Sequence, residues 1–171
     1  MGNWRSLEDA EPALAAAIRA CFTVRKHATL ATLRRDGAPR ISGIEVEFSG
    51  DEVVLGSMPG AVKALDLQRD PRFALHSPTV DPPSEDPASW PGEAKLAGLV
   101  VEVTASNGTN ADKTTSSETS PDGTTSDGTS PGNGHRFRLV LQEAVLTTVV
   151  GDELEVRSWH AGRGLTTRRR S

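Results

Sequence analysis

Residues 52–77 read EVVLGSMPGAVKALDLQRDPRFALHS, and the fold turns on this stretch. Val53-Val54-Leu55, bounded by Asp51 and Gly56, is a short apolar run of the kind that makes a buried strand. The turn Gly56-Ser57-Met58-Pro59-Gly60 follows, then a helical pattern with Val62, Leu65 and Leu67 apolar. That helix must stop at Asp70-Pro71, because the ring of Pro71 disfavours helical geometry one residue earlier. Phe73-Ala74-Leu75 is a second apolar run. The unit is strand, glycine turn, short helix, strand.

Such a turn presents free backbone N–H groups at a helix N-terminus, where the helix dipole favours an anion. Ser57, the backbone around Met58 and Gly60, and Lys63 in the first helical turn could converge on a phosphate. The pattern is not a P-loop, since Ala64 rather than Ser or Thr follows Lys63. Spacing alone leaves Lys63 two roles, a phosphate ligand or a solvated lysine on a surface helix.

Upstream, Leu14, Ile18, Cys21 and Phe22 recur at helical spacing, which predicts one helix over 8–24. Ser6 would cap it, with Asp9 at the third helical position and Pro12 near the start. Cys21 belongs to the apolar stripe and has no arranged partner, so it reads as core rather than reactive. A strand over 28–33 and another over 40–48 flank Asp36-Gly37, a hairpin signal. In the second of these, Ile44, Val46 and Phe48 face one way and Glu45 and Glu47 the other. The two carboxylates therefore read as the wet face of a half-exposed strand rather than an acid–base pair.

Downstream, residues 77–92 hold five prolines and must be an irregular loop, in which Trp90 should cover something. A strand is expected over 95–104, with Gly98 permitting close backbone approach. Residues 105–134 are nearly all Ser, Thr, Asp, Asn, Gly and Pro, a composition that cannot bury enough surface to offset ordering. They are expected to be a disordered insertion within one domain. Strands over 136–150 and 154–159 follow, and 164–171 reads as a flexible basic tail. The fold class expected is mainly β: a small antiparallel split barrel with an N-terminal helix and one short helix after the third strand.

Three pieces, LATLRRDGAPRISGIEVEF, VVLGSMPGAVKALDLQRDPRFAL and AKLAGLVVEVT, resemble the flavin-binding split barrels of the pyridoxamine 5'-phosphate oxidase-like superfamily. The branch they are most similar to uses FMN or the deazaflavin F420. The resemblance implies an oxidoreductase acting on a small molecule, as a homodimer with shared cofactor sites. It also leaves room for a non-catalytic carrier of F420, FMN or haem. It implies phosphate contacts from Ser57, Met58, Gly60 and Lys63. It implies that the ring lies along Ala31, Thr32, Arg40, Ser42 and Gly43, with Ser77 and Thr79 reaching its other side. One departure stands out: Ala61-Val62 occupies the place where relatives carry Ser-Arg before the lysine.

Composition narrows the alternatives. With 171 residues, 36% of them hydrophobic, the chain suits one domain of modest core. A net charge of -4 argues against a nucleic-acid partner. The single cysteine excludes an internal disulfide, no apolar run has the length of a membrane span, and acids occupy the place of a secretory signal, so the cytoplasm is expected. The four histidines are scattered without paired spacing, which argues against a zinc site. No nucleophile-elbow motif occurs. Chemistry carried by a bound cofactor is what remains.

Overall fold

A computed structural model describes residues 2–103 and 134–171. The expected insertion therefore lies outside the described residues, apart from Gly134. The chain opens with two helices rather than one. Helix α1, Trp4–Ala10, is capped by Asn3, whose Oδ1 accepts from the backbone of Ser6 while the Ser6 hydroxyl closes a reciprocal capping box. Helix α2 is Pro12–Thr23. The single helix expected over 8–24 is broken at Glu11, in non-helical geometry (φ -142°, ψ 68°), because the residue before a proline is pushed out of the helical region. Ser6 belongs to the capping box, though as its third residue and not as the cap. Trp4 and Leu7 lie beyond the expected start and are fully buried, with the ring of Trp4 edge-on to Phe48.

Eight strands follow: β1 His27–Leu33, β2 Pro39–Ser49, β3 Glu52–Ser57, β4 Arg72–His76, β5 Glu93–Glu102, β6 His135–Val150, β7 Glu153–His160 and β8 Gly164–Arg170. Helix α3, Val62–Arg69, joins β3 to β4 as expected. All pairings are antiparallel, in the order β3-β2-β1-β4-β5-β6, and β6 pairs back onto β3 to close a six-stranded barrel.

The sixteen-residue β6 is shared between two partners along one edge. Residues 135–138 pair with β3 and residues 143–150 with β7. Where those partners diverge, Gly2 fills the gap by exchanging both backbone hydrogen bonds with Leu141. Strands β7 and β8 then project beyond the barrel. The basic end expected to be a flexible tail is thus a strand, in register with β7 from Leu154↔Arg170 to His160↔Gly164. Its exposure on both faces removed the apolar alternation that would have revealed it.

The interior is aliphatic: Leu30, Leu55, Leu75, Leu96, Leu139 and Leu146 are fully buried. Helices α1 and α2 pack on β3, β5 and β6, and α3 packs on β1. Cys21 is buried, and its thiol points at the Pro91 carbonyl. Burial pushes that thiol up, away from the reactive form. Gly98 sits at a register shift between β5 and β6, where a Cβ would lie 2.1 Å from the Val140 carbonyl oxygen. No helix among the described residues is long and apolar enough to cross a membrane.

Candidate functional site

Strand alternation sorts the predicted residues onto two faces. Looking outward from the barrel, Gly43, Thr29, His76 and Lys95 stand side by side across β2, β1, β4 and β5. One step along the strands, Ile41, Ala31, Ala74 and Ala97 form a second row. The second row is a floor of small apolar side chains, with Ile41 76% exposed at its edge. Thr79 closes one side of the hollow above it, which has a volume of about 560 Å³.

A second hollow of about 600 Å³ begins at Gly43, the cross-strand neighbour of Thr29, and runs to the start of α3. Ser57, Met58 and Lys63 line it, together with His27 and Gly134. The cradle is tight where Gly134 crosses Ser57: a Cβ on that glycine would lie 2.6 Å from the Ser57 carbonyl oxygen. Gly60 takes a positive φ of 68° in the turn, which glycine adopts without strain.

Three features of this end favour an anion. The N-cap of α3 is Ala61, which has no side chain to cap the helix, so the first-turn N–H groups lack a side-chain acceptor. The Ser57 hydroxyl oxygen is buried and has no hydrogen-bond partner among the described residues. The Lys63 ammonium donates to the Gly43 carbonyl at 2.5 Å, which places the cation on the wall of the second hollow. A phosphate here would meet a hydroxyl, open backbone donors and a positive charge together. The donor set suits the phosphate of a flavin or deazaflavin, and the small-residue floor suits a planar ring.

Several expected ring contacts are placed elsewhere. Thr32 and Arg40 lie on the inward row, with Ser42 on the same parity, so none of the three belongs to the outer face. The Thr32 hydroxyl and the Arg40 Nε both donate to Asp66 Oδ2, at 2.9 and 2.6 Å, and Arg69 donates to Asp66 Oδ1 at 3.0 Å. Burial pushes the Asp66 carboxyl up, but hydrogen bonds from Arg40, Arg69 and Thr32 outweigh it and hold the group below its usual range. This cluster pins α3 to β1 and β2, and with it the turn that carries Lys63. Arg69 also donates to the Leu33 carbonyl. Ser77 is likewise structural: it is buried, and its hydroxyl accepts from the backbone of Ala94, which ties β4 to β5. Of the expected residues, Ala31, Gly43, Ser57, Met58, Lys63 and Thr79 line the outer groove.

Sequence reasoning missed Asp66 and His135. A signal for the first was present: Arg40 and Ser42 share the parity of Ile44 and Val46, so they had to point inward and an inward arginine needs a carboxylate. His135 opens β6 beside Ser57, and its Nε2 is the acceptor facing the Gly60 N–H at 3.4 Å. Its Nδ1 meets Glu102 at 2.7 Å, and this bond, with one from Gln68, holds the Glu102 carboxyl below its usual range. Glu45, on the rim beside His27, pairs with Lys26 at 3.0 Å.

The barrel is shared with solved structures. One is a pyridoxamine 5'-phosphate oxidase-related, FMN-binding protein from Nostoc punctiforme PCC 73102. It is 13% identical over 94% of this chain and 96% of that one, with a TM-score of 0.60. Another is PhzG from Burkholderia lata 383, solved with tetrahydrophenazine-1-carboxylic acid. It is 15% identical over 97% of this chain and 92% of that one, with a TM-score of 0.59. A Clostridium acetobutylicum protein of the pyridoxinephosphate oxidase family, related to general stress protein 26, is 11% identical. The match covers 84% of this chain and 92% of that one, with a TM-score of 0.50. No family model matches the sequence, and no curated protein matches it. At these identities the likeness establishes the fold: the chain has the split barrel of the pyridoxamine 5'-phosphate oxidase-like proteins.

Proposed function

We propose that this split-barrel protein is an FMN- or F420-dependent oxidoreductase that acts on a small molecule as a homodimer. The observation that carries the reading is the buried hydroxyl of Ser57, without a partner among the described residues, beside Lys63 and the uncapped start of α3. A bound flavin or deazaflavin supplies hydride transfer at its ring. The protein's share is position and electrostatics. Ser57, Lys63 and the first-turn N–H groups hold the phosphate, and the floor of Ala31, Ala74 and Ala97 receives the ring. The Asp66 cluster keeps α3 and the phosphate turn in place from behind.

The same groove supports the dimer. It is open along one side, with Ile41 standing proud of it, so a planar ring there stays half wet until a second copy covers it. The FMN-binding description of the Nostoc structure supports the cofactor class. Ala61 and Val62, which add no polar group to the turn, favour a second reading, a non-catalytic carrier of the same cofactor.

Purified protein and its absorption spectrum are the test. A flavin or deazaflavin band, or saturable binding of FMN or F420 in titration, is expected. Turnover of a quinone or enone panel with the reduced cofactor separates the enzyme from the carrier. A protein that binds neither cofactor overturns both readings.

A further inference from the structure

The outer face does not end at the barrel. Its two rows continue onto the projecting strands, from Lys95 through Val145 to Ser158 and Thr166, and from Ala97 through Glu143 to His160 and Gly164. On β7 and β8 the next positions of the same face are Val156 opposite Arg168 and Leu154 opposite Arg170. A hollow of about 220 Å³ sits here, lined by Ser158, His160, Thr166, Arg168, Arg170 and Glu143.

The two faces of this hairpin treat their arginines differently. On the opposite face, Glu155 takes Arg169 at 2.9 Å and Arg157 at 3.7 Å. On the hollow's face, Arg168 and Arg170 have no carboxylate within 4.0 Å among the described residues. The only acid lining the hollow, Glu143, faces His160 at 3.1 Å and neither arginine. Arg163, in the turn between the two strands, is a third arginine without such a partner among the described residues and lines the neighbouring hollow with Glu143 and His160. In a chain of net charge -4, this is a local excess of positive charge beside two directly opposed hydroxyls. Guanidinium forks and hydroxyls on one concave face are the donor set that recognises phosphate or carboxylate oxygens.

We propose that the β7–β8 hollow is a second anion-binding site, which takes a multiply charged phosphate or carboxylate group through Arg168 and Arg170, with Ser158 and Thr166 as neutral donors. It is distinct from the Lys63 site: the two hollows share no lining residue, and β2 and β8 are not neighbours in the sheet by either way around the closed barrel. The site does not depend on the cofactor reading, because no residue of the phosphate turn lines it.

The test uses the full chain carrying Lys63→Ala, so that the turn at α3 does not compete. Calorimetric titration with inorganic pyrophosphate and, separately, with citrate at fixed ionic strength distinguishes phosphate from carboxylate ligands. Saturable binding of at least one is expected. Arg168→Ser with Arg170→Ser should weaken it at least tenfold, and replacing both with lysine should give an intermediate loss, since charge remains but the fork does not. Arg169→Ser, on the other face, removes the same charge as Arg168→Ser and should change affinity less than twofold. Circular dichroism checks that each variant is folded; exposed edge-strand positions tolerate these changes. Absence of binding by both probes, or equal losses from Arg168→Ser and Arg169→Ser, overturns the proposal.

Discussion

Removing the Asp66 carboxylate tests how the site is supported. Asp66→Ala leaves Arg40 and Arg69 without their carboxylate and orphans the buried hydroxyl of Thr32. Breaking a buried ion pair costs about 3–5 kcal/mol. The arginine side chains are 26% and 37% exposed, so water recovers part of this and the ionic share falls to roughly 2–3 kcal/mol. The stranded Thr32 hydroxyl adds about 1 kcal/mol. The expected loss is therefore about 3–4 kcal/mol, a fall in Tm of roughly 6–16 °C at this chain length. Asp66→Asn keeps an acceptor without the charge and should lose about half as much. The pH dependence has a definite sign. Because the folded carboxyl titrates below its usual range, its contribution is complete above the unfolded value of about 3.9 and disappears as pH falls through the folded one. Urea unfolding of wild type and variant should show a gap that narrows below about pH 4. A loss under about 0.5 kcal/mol, a gap that persists in acid, or strict additivity with Arg40→Ala would refute the buried-cluster argument.

Lys63→Ala removes a charge-assisted contact of roughly 1.5–3 kcal/mol and should weaken FMN or F420 binding about tenfold to a hundredfold with unfolding unchanged. Fluorescence titration reads it, and an unaltered affinity would make Lys63 a solvated surface lysine. Gly98→Ala drives a methyl against the Val140 carbonyl at 2.1 Å and should cost about 2–3 kcal/mol in urea unfolding. A neutral result would mean that the β5–β6 shift relaxes freely. Ile41→Asp places a charge on the exposed apolar edge of the groove and should yield a folded monomer by sedimentation, against the dimer proposed for wild type.

Much of the architecture is local, and for that reason it was legible in the sequence. Period-two alternation exposed β2, the Asp36-Gly37 pair exposed its hairpin, and Pro71 set the end of α3. The glycine turn between β3 and α3 puts Ser57 and Lys63 at one helix start by sequence spacing alone. Other features come from partners distant in the chain, and no window of sequence contains them. Thr32, Arg40 and Asp66 belong to three elements and meet only when α3 docks on β1, so Thr32 and Arg40 read as ring contacts when they are structural donors. His135 reaches Gly60 only because β6 returns to close the barrel against β3. Strand β8 has no buried face to impose a pattern. Its order comes from backbone pairing with β7, and the residue types 164–171 do not encode that pairing. Side-chain periodicity records which face is buried; which distant group meets it is decided by packing, and the tertiary structure alone supplies that.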